Sequence, residues 1–174
     1  SKKAKGTVYF SATLAPFDAA GQMLGKMDGD ACLMLPSPFL PEQLQARWQS
    51  IDLRYAARKQ SAPRVAELIQ THFVQNSGNT LVFFPSYAYL EQVCAQLGQV
   101  DGVRMLREAR GMREDEKNAL LSAFQCGDER VALLCVLGGA FSEGVDLVGE
   151  RLKNVIVIST GMPQPNARVR AMQR

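Results

Sequence analysis

The chain has 174 residues, of which 47% are hydrophobic and 21% are charged, a size and composition typical of one globular domain with its own core. No apolar run approaches the roughly 20 residues that a membrane-spanning helix needs. The basic start, residues 1–6, lacks the apolar stretch of a secretion signal. These features predict a cytoplasmic protein with no membrane partner.

The formal net charge of +3 predicts nothing about nucleic acid by itself. Arginines recur in two clusters, which lie at Arg104, Arg107, Arg110 and Arg113 and at Arg168, Arg170 and Arg174. Such clusters can neutralise phosphates, but a run of charges is more often a solvated face. The four cysteines, at 32, 94, 126 and 135, contain no close CxxC pair. We therefore predict no metal site, and Cys94 and Cys135 are expected in the core.

The apolar pattern predicts seven strands and three helices in alternation over most of the chain. The strands are predicted at residues 7–10, 31–35, 48–53, 80–84, 103–106, 131–136 and 155–159, and the helices at 63–75, 87–97 and 113–124. Runs such as 81–84 and 155–158 are apolar throughout, which is typical of parallel strands buried on both faces. A doubly wound α/β domain is the prediction, with its ligands beyond the carboxyl ends of the strands.

Three loops that follow predicted strands carry unusual sequences. The first is Ser11-Ala12-Thr13-Leu14, and the second is Pro85-Ser86-Tyr87, in which Ser86 can cap a helix or touch a phosphate. The third, at residues 138–146, reads GGAFSEGVD and places three glycines around a hydroxyl and two carboxylates. Backbone N–H groups of such a loop can hold a phosphate.

Three segments of the chain occur in the order and approximate spacing of a known set of motifs. They are FSATL at 10–14, LVFFPSY at 81–87 and GGAFSEGVD at 138–146. They resemble motifs III, IV and V of the XPD-type superfamily-two DNA helicases, most closely the bacterial DinG-like branch. Residues 37–39 and 161–165 resemble the same branch. The resemblance implies a RecA-like second motor domain, with a mostly parallel central sheet flanked by helices and no P-loop of its own.

In this family two such domains clamp ATP with Mg²⁺ between them and move along single-stranded DNA. By position, Ser11 and Thr13 correspond to the motif that couples ATP turnover to strand movement. Contacts to the nucleic acid are implied for Ser86, Tyr87, Gly139, Phe141 and Ser142. A place in the nucleotide cleft is implied for three residues: Glu143 and Asp146 as catalytic groups, and Gly144 and Asp146 as nucleotide-binding groups.

Part of the family's machinery is missing from the sequence. The chain has no GxxxxGK[ST] loop, no Asp-Glu-x-His box and no final arginine-rich motif. Residues 1–15 are therefore predicted to be the end of the first motor domain, and 16–174 the second, truncated before motif VI. The chain should need the missing first domain in cis and be inactive as an ATPase alone. In this family the first half can carry an iron–sulfur cluster.

Two alternatives remain open from the residues alone. One is a stand-alone nucleic-acid-binding or scaffold module that kept a RecA-like fold without motor activity. The other is an enzyme of the same fold that acts on RNA or only translocates, because contacts to a phosphate backbone do not distinguish the two nucleic acids. Only the resemblance favours DNA, and its DinG-like branch implies a bacterial source for the predicted cytoplasmic protein.

Overall fold

The computed structural model describes residues 5–11, 14, 16–124, 129–143 and 145–159. The chain divides into two compact units, Ser1–Trp48 and Gln49–Arg174. Within the described ranges, no helix combines the length and the apolar character that crossing a membrane requires.

The described residues of the first unit contain one α-helix, α1 at Phe17–Leu24, and one 3₁₀ turn at Pro41–Gln43. Helix α1 ends at Gly25, whose φ of +75° carries no Cβ penalty in glycine. The strands predicted at 7–10 and 31–35 are wrong, because the described residues of this unit form none. Strand propensity needs a pairing partner, and Val8 and Phe10 are 85% and 91% exposed instead.

The second unit forms a four-stranded sheet with helices on its faces. Its helices are α2 at Arg58–Gln75, α3 at Tyr87–Cys94 and α4 at Glu114–Ser122. Its strands are β1 at Thr80–Phe84, β2 at Val103–Arg107, β3 at Arg130–Val136 and β4 at Asn154–Val157. All strand pairs are parallel, in the order β2-β3-β1-β4. The predicted α/β fold with a parallel central sheet is confirmed.

The strand predicted at 48–53 is also wrong, although part of it reaches the core. Ile51 and Leu53 pack against the buried cluster under α2 and α3 but pair with no strand. Their apolar character therefore reflects packing of an extended segment rather than a place in the sheet.

Both faces of the central strands β1 and β3 are covered, which explains why these two strands are apolar after their first residue. Val82 and Phe84 of β1 pack with α2 and α3 on one face. Leu81 of the same strand packs on the other face with Phe124 and with residues of α4. Because side chains alternate along a strand, a strand covered on both faces needs apolar residues at every position. The edge strand β4 differs, since Val155 and Val157 are 54% and 59% exposed, so the expectation that 155–158 is buried on both faces is wrong.

The carboxyl ends of the strands meet at one edge of the sheet, which we call the carboxyl edge. Phe84 pairs with Val136, and the ladder continues as the Leu137 N–H donates to the Phe84 carbonyl at 2.8 Å. The Glu108 N–H likewise donates to the Leu134 carbonyl at 2.9 Å. The segments 85–87, 108–110 and 137–142 therefore lie together at this edge.

Candidate functional site

Ser86 begins helix α3 and is its N-cap. Its backbone is extended, with φ −168° and ψ 156°, and its Oγ accepts the Tyr89 N–H at 3.3 Å. The Arg58 guanidinium donates to the same oxygen at 3.4 Å. The capping interpretation of Ser86 is confirmed, and neither bond uses the hydroxyl hydrogen. The O–H group can therefore still donate to a ligand at this edge.

Tyr87 is half-buried, and both its hydroxyl and its ring have partners. The hydroxyl donates to Glu108 Oε1 at 2.7 Å, and the Arg110 guanidinium carbon lies 4.6 Å from the ring centroid. Burial, and then the bond to the Glu108 carboxylate, raise the pKa of Tyr87 to about 12. The phenol is therefore neutral at ordinary pH, and one ring face carries a cation.

The turn after β3 is closed by Ser142. Gly138 has a φ of +76°, and its N–H donates to Ser142 Oγ at 2.7 Å. The Ser142 hydroxyl donates in turn to the Val136 carbonyl at 3.2 Å. The N–H groups of Gly139 and Ser142 also donate within this turn, at 2.8 and 3.2 Å. The hydroxyl of Ser142 thus helps to fold the loop.

The middle of the same loop is held by a buried carboxylate and a buried ring. The Ala140 N–H donates to Glu108 Oε1 at 2.8 Å. The Phe141 side chain is 1% exposed and belongs to the cluster that contains Leu133 and Cys135. Any contact from Phe141 to a ligand would therefore come from its backbone. Residues 138–142 form a turn held at several points.

The two predicted catalytic carboxylates come directly after this turn. Glu143 and Asp146 are both exposed, and both belong to the second unit. Gly144, the third residue of the predicted nucleotide cleft, lies outside the described residues, as does Thr13. Ser11 is exposed and belongs to the first unit.

The arginines predicted as one cluster do not share one surface. Arg104 and Arg107 lie in β2 and, three residues apart, point to opposite faces of the strand. Arg107 makes a loose pair with Glu91 at 3.8 Å, while Arg113 pairs within the first turn of α4. Arg110 alone of the four stands over an aromatic ring at the carboxyl edge. The second cluster, at 168–174, lies outside the described residues.

Arg58 joins Arg110 as a second cation near this edge. Its guanidinium carbon lies 5.6 Å from the Tyr89 ring and 5.8 Å from the Tyr55 ring, and its Nε donates to the Leu53 carbonyl at 3.3 Å. Packing between two rings fixes the direction of the guanidinium. Arg58 is therefore a half-buried cation of fixed direction rather than a freely solvated one.

Glu108 is the residue of this site that the sequence patterns did not single out. It is 4% exposed and is the only acidic or basic side chain among the buried residues that the structure describes. One signal was available, since a carboxylate that directly follows a parallel strand lies at the ligand-binding edge of the sheet. The partners of Glu108 come from 21 to 32 positions away, and no local pattern contains them.

The described cysteines differ in exposure, and none of them belongs to a group of possible metal ligands. Cys94 and Cys135 are buried, as predicted, and Cys32 is exposed. Burial, with the nearby Glu108 charge, raises the pKa of the Cys135 thiol far above its ordinary value. In the described part of the chain no three His, Cys, Asp or Glu side chains are grouped closely enough to hold a metal ion.

Comparison with known proteins gives one family match and several relatives. The family model of the helicase C-terminal domain matches residues 69–174. The human ATP-dependent DNA helicase DDX11 is 32% identical over 111 residues, which are 55% of this chain and 11% of that protein. The human putative ATP-dependent DNA helicase DDX11-like protein 8 is 32% identical over 112 residues, or 56% and 12% of the two chains. This chain thus spans about a tenth of either relative.

Two solved structures have the same fold. An XPD helicase superposes with a TM-score of 0.56 and 21% identity, covering 69% of this chain and 21% of the other. An apo form of XPD superposes with a TM-score of 0.52 and 20% identity, covering 71% and 24%. At this level of identity the likeness concerns the fold alone, and it agrees with the predicted RecA-like architecture.

Proposed function

Since the chain belongs to the family of helicase C-terminal domains, we propose that it is the second RecA-like motor domain of a DinG/XPD-type ATP-dependent DNA helicase. In that enzyme it supplies one side of a single-stranded DNA groove and part of the ATP cleft. The other side of each comes from the first motor domain in cis. The chain alone does not hydrolyse ATP, because it contains no P-loop to hold the phosphates.

The observation that carries the DNA-binding role is the meeting of cations and a hydroxyl at the carboxyl edge. Arg110 stands over Tyr87, Arg58 lies against Ser86, and the Ser86 O–H group remains able to donate. Groups of this kind contact phosphate oxygens without reading bases. A motor needs such contacts because it must pass over any sequence.

The turn at 138–142 has a different part in the groove. The N–H groups of Gly138, Gly139, Ala140 and Ser142 all donate within the protein. Gly139, Phe141 and Ser142 therefore line the groove through backbone and shape, while hydroxyl and guanidinium groups contact the phosphates. Tyr87 acts by holding Arg110 in place rather than by stacking on a base.

The nucleotide-binding role rests on the two carboxylates that leave this turn. Glu143 and Asp146 are exposed, although residues 138–142 before them are firmly held. An exposed carboxylate on a rigid support can meet a second domain or a nucleotide without disturbing the core. ATP, brought with Mg²⁺, supplies the phosphoryl chemistry, and Glu143, Gly144 and Asp146 form this domain's wall of the cleft.

Arg110→Ala is expected to weaken binding of the chain to an oligo-dT strand about tenfold at low salt, because a hydrogen bond to a charged group contributes about 1.5–3 kcal/mol. The slope of log affinity against log salt should fall by about 0.7, as one phosphate contact is lost. Fluorescence anisotropy across a salt series measures both quantities.

Arg64→Ala is the matched control, since Arg64 is exposed on α2 and pairs with Glu67 at 2.6 Å, away from the carboxyl edge. Equal losses in the two variants would mean nonspecific attraction and would remove the argument for a groove at this edge. Tighter binding of an oligo-U strand than of oligo-dT would favour the RNA alternative. Binding of oligo-dT at the carboxyl edge, with no ATP hydrolysis even when the first motor domain is supplied, would favour the stand-alone module.

A further inference from the structure

Glu108 is buried at the point where β2 ends, and both of its carboxylate oxygens accept hydrogen bonds. Burying a carboxylate is costly unless donors replace the lost water. Three donors do so: the Tyr87 hydroxyl at 2.7 Å and the Ala140 N–H at 2.8 Å reach Oε1, and the Val136 N–H at 2.8 Å reaches Oε2. Since an ionised carboxylate is an acceptor only, this arrangement suits its charge.

The three donors belong to separate segments of the carboxyl edge. Tyr87 follows β1, Val136 ends β3, and Ala140 lies in the glycine-rich turn. Converging backbone N–H groups in a turn are the usual place for a bound phosphate or other anion. Here the Glu108 carboxylate occupies that place, so the anion of this cradle comes from the protein itself.

The same carboxylate occupies the space that a side chain at position 139 would need. A Cβ at this position would lie 2.8 Å from Oε2 and 2.9 Å from Cδ of Glu108, and closer still to Oε1. The backbone of Gly139 does not have a positive φ, whereas that of Gly138 has a φ of +76°. The backbone therefore admits a side chain at 139, and the space is what excludes it.

We infer that Glu108 is a positioning residue: an internal anion that fills the cradle of the glycine-rich turn, ties that turn to Tyr87, and requires glycine at position 139. Gly139 thus leaves room for a carboxylate of the protein rather than for a phosphate of a DNA strand. The inferred geometry is independent of the ligand; only its consequence for DNA affinity rests on the proposed function.

Hydrogen exchange in the unliganded chain tests the geometry. Glu108→Gln keeps the size of the side chain but replaces one acceptor oxygen with an NH₂ group, which is a donor. In either orientation of the amide, this NH₂ group faces another donor, the N–H of Val136 or of Ala140. We expect the Ala140 and Val136 amides, taken together, to exchange at least about tenfold faster. Glu91→Gln is the matched control, because Glu91 is exposed on α3 and makes only a loose ion pair with Arg107, at 3.8 Å. Unchanged exchange in Glu108→Gln would overturn the inference.

A double-substitution cycle tests the reason for glycine at 139. Gly139→Ala alone should accelerate exchange across residues 138–142 at least about tenfold, because the new methyl displaces the carboxylate. In the Glu108→Ala background the same change should add less than about twofold, since nothing remains to collide with. An equal effect in both backgrounds would overturn the inference. If Glu108→Ala does not fold, the Glu108→Gln comparison still decides.

Affinity for oligo-dT separates this inference from the proposed function. Glu108→Gln should weaken binding at least about threefold, because the groove loses its preorganised wall, while Glu91→Gln should bind as the unsubstituted chain does. Faster exchange together with lower affinity in Glu108→Gln supports both the positioning role of Glu108 and the proposed DNA-binding function. Faster exchange with unchanged affinity supports the positioning role and overturns the DNA-facing role of the turn.

Discussion

Glu143→Gln and Asp146→Ala are each expected to lower DNA-stimulated ATP hydrolysis by the complete helicase at least about tenfold. In the proposed function each substitution removes a carboxylate contact to the nucleotide or to the facing domain, and a charged hydrogen bond is worth about 1.5–3 kcal/mol. About 1.4 kcal/mol of transition-state stabilisation corresponds to a factor of ten in rate. Both side chains are exposed, so the fold should be unchanged.

Phosphate release at saturating oligo-dT measures the rate, and urea unfolding checks the fold. Glu150→Gln is the control, because Glu150 is an exposed carboxylate a few residues further on that pairs with Lys153. Its rate should stay within about twofold, since an exposed pair contributes little. Unsubstituted rates in both Glu143→Gln and Asp146→Ala would contradict the assignment of this loop to the ATP cleft.

Phe84→Ala is expected to lower the free energy of unfolding of the second unit by about 3–5 kcal/mol. The ring is fully buried at the end of β1 and makes an edge-to-face contact with Tyr89, with centroids 6.5 Å apart. Its removal leaves a cavity beneath the segment that carries Ser86 and Tyr87. Since domains of this size are stable by only about 5–15 kcal/mol, much of the folding margin would be lost.

Denaturant unfolding followed by circular dichroism measures this loss. Phe39→Ala makes the same substitution at a position that is 73% exposed, and it should change the unfolding free energy by no more than about 0.5 kcal/mol. Similar small effects in the two variants would contradict the burial of Phe84 in a rigid core.

The central strands could be predicted because β1 and β3 are apolar after their first residue. The runs at 80–84 and 131–136 match β1 and β3 to within one residue, since a strand covered on both faces has no solvent-facing position to interrupt the run. Helix α2 was expected to begin at Pro63, but it begins at Arg58. Ser61 and Ala62 are buried, and their packing outweighs the cost of a proline inside the helix.

The first unit shows where such patterns fail. Residues 7–10 have the composition of a strand, yet Val8 and Phe10 are exposed and pair with nothing among the described residues of that unit. Strand propensity measures how well a residue fits a half-buried pleated surface, and a sequence does not say whether that surface is present. Helix α1, which lies in the same unit, was not predicted, although the glycine that follows it is a common helix-ending signal.

The site was predictable in place but not in detail. The rule that parallel strands end at one edge brought Ser86, Tyr87 and Gly138 together correctly. It could not indicate that Phe141 turns into the core or that Ser142 closes its own turn. Those outcomes depend on long-range register, as does the use of Glu108 by three separate segments.

The most direct test of the proposed motor role is ATP hydrolysis with oligo-dT, by this chain alone and by the same chain joined to its first motor domain. We expect no turnover above background from the chain alone and DNA-stimulated turnover from the joined protein, because in the proposed function the phosphate-binding loop belongs to the first motor domain. Turnover by the isolated chain, or none from a folded joined protein that binds DNA, would contradict its role as one half of a motor.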